Sequence, residues 1–453
     1  MRKLITTFIL IFSFFLSSQE TLFTLVDNSK TGINFSNELV DTKEHSIFLY
    51  ANYYGGAGVG IGDFDNDGLE DIFFAANLLD DKIYKNLGNF EFEDKTKMSG
   101  IINNGSWSTG VTVADVNNDG LLDIYVSCEL YDDAPVLRRN KLYINQGSFK
   151  FKESASEWGV DVDRRTRHSV FFDYNKDGLL DLYLLNHPPN TGNFSPFFGK
   201  DMSLPEYNLQ LFENKGNHFV DVTQSAGLSR SGFPNAAVIG DFNKDGWPDI
   251  YVANDFDSPD FLYFNNKDKT FTYATETSLR HTSFYSMGVD AADINNDSHL
   301  DLMVLDMTAE DNFRLKSNMS GMNPDSFWKV VNDGGHYQYM FNTLQLNNGN
   351  DTFSDIAQFT GTAATDWSWS SLVADFDNDG QKDIYITNGL LRDIRNTDAD
   401  KKIADIVSKK INEYIIQNPN NTEITLWDVV DLKELLDLLP SQKLKNYYYK
   451  NHG

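Results

Sequence analysis

Residues 63–72 read Asp-Phe-Asp-Asn-Asp-Gly-Leu-Glu-Asp-Ile, and the same ten-residue pattern returns at 115–124, 173–182, 241–250, 293–302 and 375–384. Positions 1, 5 and 9 are Asp in every copy, and position 3 is Asp or Asn. An oxygen-bearing side chain at every second position, a glycine and one more carboxylate can wrap a hard divalent cation. Calcium takes six to eight such oxygens at variable geometry. The candidate side-chain ligands are Asp63, Asp65, Asp67 and Asp71; Asp115, Asn117, Asp119 and Asp123; Asp173, Asn175, Asp177 and Asp181; Asp241, Asn243, Asp245 and Asp249; Asp293, Asn295, Asp297 and Asp301; and Asp375, Asp377, Asp379 and Asp383. A backbone carbonyl at position 7, from Leu69, Leu121, Leu179, Trp247, His299 or Gln381, completes each set.

Glycine at position 6 lets the chain reverse at positive φ without a Cβ clash. Five loops have it, and the fifth has Ser298, so strain and the weakest of up to six calcium sites are expected at 293–301. An EF-hand opens the same way but requires a bidentate Glu at position 12 and flanking helices. Position 12 here is Phe74, Val126, Leu184, Val252, Val304 or Ile386. None can ligate, so the loops are not EF-hands.

The intervening sequence has one grammar. A strand rich in small and apolar residues precedes each loop, and a second apolar strand follows it. A third element ends in Asn, as in Ile83-Tyr-Lys-Asn86, Leu142-Tyr-Ile-Asn145 and Leu211-Phe-Glu-Asn214. A fourth follows a turn, as in Phe90-Glu-Phe92. Four strands in a unit of some fifty residues mark a β-propeller blade. The fold expected is all-β, a propeller of four-stranded blades over 19–390, with lead-in strand material before residue 55. Insertions fall at 187–208 and 307–340. Apolar spacing at 398–417 and 427–439 predicts two helices, within a helical insertion over 391–445. Tyr447-Tyr-Tyr-Lys-Asn-His-Gly453 repeats the third-strand signature. Read as the start of a further, incomplete blade over 446–453, it makes the design seven-bladed; the alternative is a six-bladed ring with an appended helical tail.

Formal net charge is −28 over 453 residues. Six divalent ions, at two charges each, bring it to −16, so much of the acidity belongs to the loops. What remains disfavours nucleic acid and anionic membranes. Residues 1–18, with Arg2 and Lys3 before an apolar run and Ser17 and Ser18 at its end, read as a signal peptide. The expectation is export to the periplasm, outer surface or medium of a bacterium, with no membrane span after cleavage. Millimolar calcium outside cells fills even weak sites. Cys128 is the sole cysteine, which excludes a disulfide framework.

The six loops and strands such as Gly55-Gly-Ala-Gly-Val-Gly-Ile-Gly62 resemble the FG-GAP or VCBS repeats found in integrin α-subunit propellers. Trp107-Ser-Thr-Gly110, Asn254-Asp255, Ser286-Met-Gly288, Leu344-Gln-Leu-Asn-Asn348 and Thr365-Asp-Trp-Ser-Trp369 look like a secreted bacterial branch. That branch is similar to cartilage acidic protein and often carries an ASPIC/UnbV domain. The resemblance implies calcium at loop positions 1, 3, 5 and 9, with Asn tolerated at position 3. Ser298 departs from it.

Two functions follow as expectations. One is a non-catalytic binding or adhesion module for an extracellular glycan or protein, with Trp247, Trp328, Trp367 and Trp369 as stacking candidates. The alternative is a polysaccharide lyase or other sugar-modifying enzyme. Its base would come from His168, His187, His281 or His336, and its charge from the Arg164, Arg165 and Arg167 run.

Overall fold

A computed structural model describes residues 24–188, 207–256, 258–319, 322–419, 421 and 423–453. The expected signal peptide, and most of the insertion at 187–208, lie outside the described residues. Six antiparallel sheets follow one another along the chain, each in strand order 1-2-3-4 or, in the sixth, 1-2-3. They are Val59–Gly62, Asp71–Phe74, Lys82–Asn86 and Phe92–Asp94; Trp107–Ala114, Asp123–Glu129, Lys141–Asn145 and Phe151–Glu153; and Arg165–Phe172, Asp181–His187, Gln210–Asn214 and Phe219–Asp221. Next come Pro234–Gly240, Asp249–Asn254, Phe261–Asn265 and Phe271–Tyr273; Gly288–Ala292, Asp301–Leu305, Thr343–Asn347 and Phe353–Asp355; and finally Ser368–Ala374, Asp383–Asn388 and Tyr447–Tyr449.

The first strand of each sheet packs against the first strand of the next. This is the arrangement of propeller blades around an axis. The small residues in these strands allow the approach: a Cβ on Gly58 would meet the Val111 nitrogen at 2.6 Å, and one on Gly110 the His168 Cα at 2.8 Å. Second strands are covered on both faces, so Ile124, Tyr125 and Val126 are all fully buried and read as a continuous apolar run. Phe64, Phe73 and Ile83 of the first blade pack with Ile124, Val126 and Tyr143 of the second, and equivalent clusters fill the later interfaces. Cys128 is buried core filler.

Three expectations are corrected. Residues 446–453 do not open a further blade: Tyr447–Tyr449 pairs with Asp383–Asn388, Ile384 opposite Tyr449, as the third strand of the sixth sheet. A seventh sheet of this kind is not found among the described residues. The helical segment is therefore an insertion between two strands of one blade. It separates that third strand from its own loop in sequence, which disguised their kinship. The second helix is broken into Leu426–Val429 and Leu432–Leu436 by extended Val430, with Asp431 recapping the chain by accepting from Glu434 N–H. Residues 24–58, expected as strand, hold only a helical turn at Asn28–Thr31 and irregular turns. Their Tyr50, Tyr53 and Tyr54 pack with Trp107, Ala399, Leu432 and Leu436. The inserted helices thus rest on the lead-in segment.

The asparagine ending each third strand binds the blades together. Its N–H donates to the position-9 Asp of its own loop, and its side-chain amide to the carbonyl at position 8. From the second blade on, the amide also donates to the position-2 carbonyl of the preceding blade. Asn145 reaches Phe64 O at 2.9 Å, Asn214 Val116 O at 2.9 Å, Asn265 Tyr174 O at 2.9 Å, Asn347 Phe242 O at 2.8 Å and Asn451 Ile294 O at 2.8 Å. Asn86, in the first blade, is held to Glu70 O alone. We expect Asn214→Ala to cost about 2 kcal/mol and Asn86→Ala about 1 kcal/mol, since only the former frees a buried carbonyl in a neighbouring blade. Urea midpoints of the two variants measure the difference.

Candidate metal centres

Each acidic loop joins the first and second strands of its blade, and its own backbone closes it. In the second loop Asp115 accepts from Asp119 N–H (3.1 Å) and Gly120 N–H (2.8 Å), and Asp119 accepts from Leu121 N–H (2.9 Å). Asp123 accepts from Val116 N–H at 3.0 Å and Asn145 N–H at 2.8 Å. The same bonds recur around the first loop, with Asp63, Asp67 and Asp71 in these roles. Position 9 thus does more than offer an oxygen to an ion, because this buried carboxylate also pins the loop to the third strand.

Position 4 went unmarked in the sequence. Asn66, Asn118, Lys176, Lys244, Asn296 and Asn378 all lie in the left-handed region, with φ from 56° to 60°. Four are Asn, which tolerates the left-handed region, and two are Lys. Three of them also join loops of successive blades: Asn66 donates to Gly120 O (2.9 Å), Asn118 to Gly178 O (3.1 Å) and Asn296 to Gly380 O (3.1 Å). Ser298 takes φ 70° where the other loops place glycine, so the fifth loop keeps the shared shape at a strained residue.

The side chains converge enough to hold one hard cation. Carboxylate oxygens of Asp63, Asp65 and Asp71, and of Asp375, Asp377 and Asp383, lie within 4.8 Å of one another. One oxygen each of Asp65 and Asp377 is buried with no hydrogen-bond partner. A buried anionic oxygen without a partner is costly, and a dication supplies that partner. In the other four loops position 3 is Asn, whose Oδ1 accepts from the position-5 N–H, for example Asn117 from Asp119 at 3.0 Å. The residues present fit a calcium ion in the first and sixth loops, and the other four carry Asn as a neutral oxygen donor at position 3.

Burial, together with neighbouring loop carboxylates, pushes Asp71 up to about 6 and Asp123, Asp181 and Asp249 up to about 7, against an ordinary 3.8. Two backbone N–H groups bound to each oppose the rise but do not cancel it.

The tryptophans and the enzyme candidates are placed as follows. Trp367 is core, and Trp369 donates to Gly389 O at 2.5 Å. Trp247 is half-buried under Lys176, and Trp328 is 53% exposed. From Arg165 onward the arginine run lies in the strand Arg165–Phe172. Arg165 pairs with Asp132, and Arg167 donates to Gly55 O and lies 3.6 Å from Glu129. His187 is 3.4 Å from the same Glu129. Burial alone would raise the Glu129 carboxyl, but its close neighbours His187 and Arg167 bring it down to about 2. His168, buried beside Arg167, is pushed down to about 4. Burial also lowers His281 and His336. Glu129, unremarked in the sequence, is the centre of this cluster; its only signal was an acidic residue ending an apolar strand.

The fold and the repeated loop define a class: β-propellers whose blades each carry an acidic, cation-shaped turn. The chain belongs to the FG-GAP-like repeat family, whose model matches residues 44–126, 202–252, 241–304 and 327–386, more than half of the chain. Cartilage acidic protein 1 of Xenopus tropicalis is 25% identical over 164 residues, 36% of this chain and 24% of that protein. The chain thus aligns with about a quarter of that relative's length. Among solved structures, a lectin from Agrocybe aegerita, described as recognising non-reducing terminal N-acetylglucosamine, is 17% identical at a TM-score of 0.41. The alignment covers 72% of this chain and 73% of the lectin. The V. cholerae biofilm matrix protein Bap1 is 16% identical at a TM-score of 0.34, covering 64% and 37%.

Two outcomes are expected. Ser298→Gly should raise stability by about 1 kcal/mol by removing left-handed strain, read as a higher melting temperature. In chelator, stability should fall as pH rises from about 4 to about 7. The raised folded-state pKa values of Asp123, Asp181 and Asp249 contribute stability that is complete below their unfolded value and lost on passing about 7. In excess calcium, which requires ionised ligands, the trend should reverse. Melting curves across that pH range check both signs.

Proposed function

We propose that the chain is a secreted, calcium-binding propeller that serves as a non-catalytic binding or adhesion module for an extracellular glycan or protein. The observation that carries this reading is how length is divided between the two ends of the blades. Acidic loops join first to second strands, so they lie at one end and hold to ten residues in all six copies. Connections from second to third strands lie at the opposite end, and there the chain is long: from His187 to Gln210, from Leu305 to Thr343 and from Asn388 to Tyr447. A uniform, metal-ready end supports a scaffold role, and a variable end supports recognition, since binding residues gather on loops held by rigid frames.

The connection in the fifth blade bears Asn312–Ser317 and Pro324–Asn332 as helices and exposes Phe313, Trp328 and Tyr337. Flat aromatic faces of this kind stack on sugar rings and anchor protein partners. Calcium at the far end holds the blades that present them. No helix among the described residues is long and apolar enough to cross a membrane.

Chelation should lower the melting temperature markedly, because each site contributes about 2.7 kcal/mol at a hundredfold excess of ion over Kd. An unchanged melt in EDTA overturns the calcium part. A glycan array probed with and without calcium, and again with Trp328→Ala, tests recognition. Calcium-dependent signal lost in the variant supports it; signal indifferent to both moves the binding surface elsewhere.

A further inference from the structure

We propose that Lys85 and Lys450 are tethered counter-ions that compete with the cation for the first and sixth loops, setting those two sites apart from the other four. This rests on the calcium reading above and adds which residues tune it.

Both lysines occupy one register position, immediately before the clamping asparagine of the third strand. The six residues there are Lys85, Ile144, Glu213, Phe264, Leu346 and Lys450. Position 3 of the six loops is Asp65, Asn117, Asn175, Asn243, Asn295 and Asp377. Lysine therefore stands only where position 3 carries a charge. Counting only the ligand positions and this lysine, the first and sixth sites hold four carboxylates and one ammonium. The second, fourth and fifth hold three carboxylates, giving the same net charge of −3.

The contacts match this exchange. Lys85 Nζ binds Asp65 and, at 2.6 Å, Asp67; Lys450 Nζ binds Asp377 and, at 3.1 Å, Asp379. In the second, fourth and fifth loops the position-3 amide makes the corresponding bond to position 5: Asn117 to Asp119 at 3.0 Å, Asn243 to Asp245 at 3.1 Å and Asn295 to Asp297 at 2.9 Å. In the third, Asn175 turns to Glu213, itself held by Lys215 and Lys269 at 2.6 Å. Lys267 touches Asp245 at 3.3 Å from an exposed turn and bridges nothing.

An asparagine at position 3 accepts the position-5 N–H on its Oδ1 and keeps that oxygen's second lone pair for a cation. The lysine ammonium instead sits on the oxygens that a cation needs and still leaves one oxygen of Asp65 and of Asp377 without a partner. A flexible four-carbon stem carries that charge, so the ammonium can withdraw when a dication enters. The first and sixth loops are thereby braced when calcium is scarce and demand more of it to fill.

Calorimetric calcium titration of the full chain, with melts in EDTA and in saturating calcium, tests this on wild type, Lys85→Met, Lys450→Met and Lys267→Met. Methionine keeps an unbranched apolar stem and removes the ammonium, which in Lys85 also lies 5.3 Å from the Phe149 ring centroid. Each of the first two variants should tighten one site about tenfold or more, the size of a like-charge repulsion at partly screened range. Each should also melt lower in EDTA and higher in calcium; Lys267→Met should do neither. Unchanged titrations, or melts lowered equally in both conditions, overturn the proposal and leave the calcium reading standing. A wild type that takes up no calcium removes both.

Discussion

A buried carboxylate joined to two backbone N–H groups underlies the architecture. The position-9 Asp of each loop accepts from the turn that opens the loop and from the asparagine that ends the third strand. From the second blade on, that asparagine then reaches into the preceding blade. Loop shape, blade pairing and blade-to-blade spacing are thus one hydrogen-bonded unit repeated along the chain. Burying these carboxylates is tolerable because their oxygens are met by donors. The buried loop oxygens that lack a donor, on Asp65 and Asp377, fall where a cation is wanted.

The loops and their strands were legible because their chemistry is local. Oxygen spacing, the glycine and alternating apolar runs all sit within ten or twenty residues. Each failure traces to a long-range or backbone cause. The third strand of the sixth sheet carried its signature openly in Tyr447 to Asn451, but its partner strand ended at Asn388, beyond the inserted helices. The left-handed turn at position 4 unites Asn66 with Lys176, which no side-chain pattern would group. The partners of the arginine run, Asp132, Glu129 and Gly55, come from other parts of the chain and were not legible. The clamping asparagines were visible as a recurring letter, but their reach into the neighbouring blade was not.

The candidate sites divide similarly. Which residues line each loop could be read directly, while their environment could not. Asp71, Asp123, Asp181 and Asp249 shift upward because the fold buries them, and burial is a property of the assembled blade. The histidines and arginines weighed as catalytic candidates are likewise explained by what surrounds them. His187 and Arg167 share the buried Glu129, and the cluster lies under the lead-in segment whose Asn52 touches His187.

The detour between Asn388 and Tyr447 bears on how the molecule assembles. Three sheets are zipped by neighbouring hairpins throughout, whereas the third, the fifth and, over the longest excursion, the sixth must capture a third strand across a long connection. Lengthening such a loop is thermodynamically cheap, about 0.6 kcal/mol for each doubling, but non-local pairing is slow. The sixth blade is then the last to consolidate during refolding. A protease cut within the excursion would leave a two-piece molecule whose halves stay joined by strand pairing and packing, with no covalent link between them.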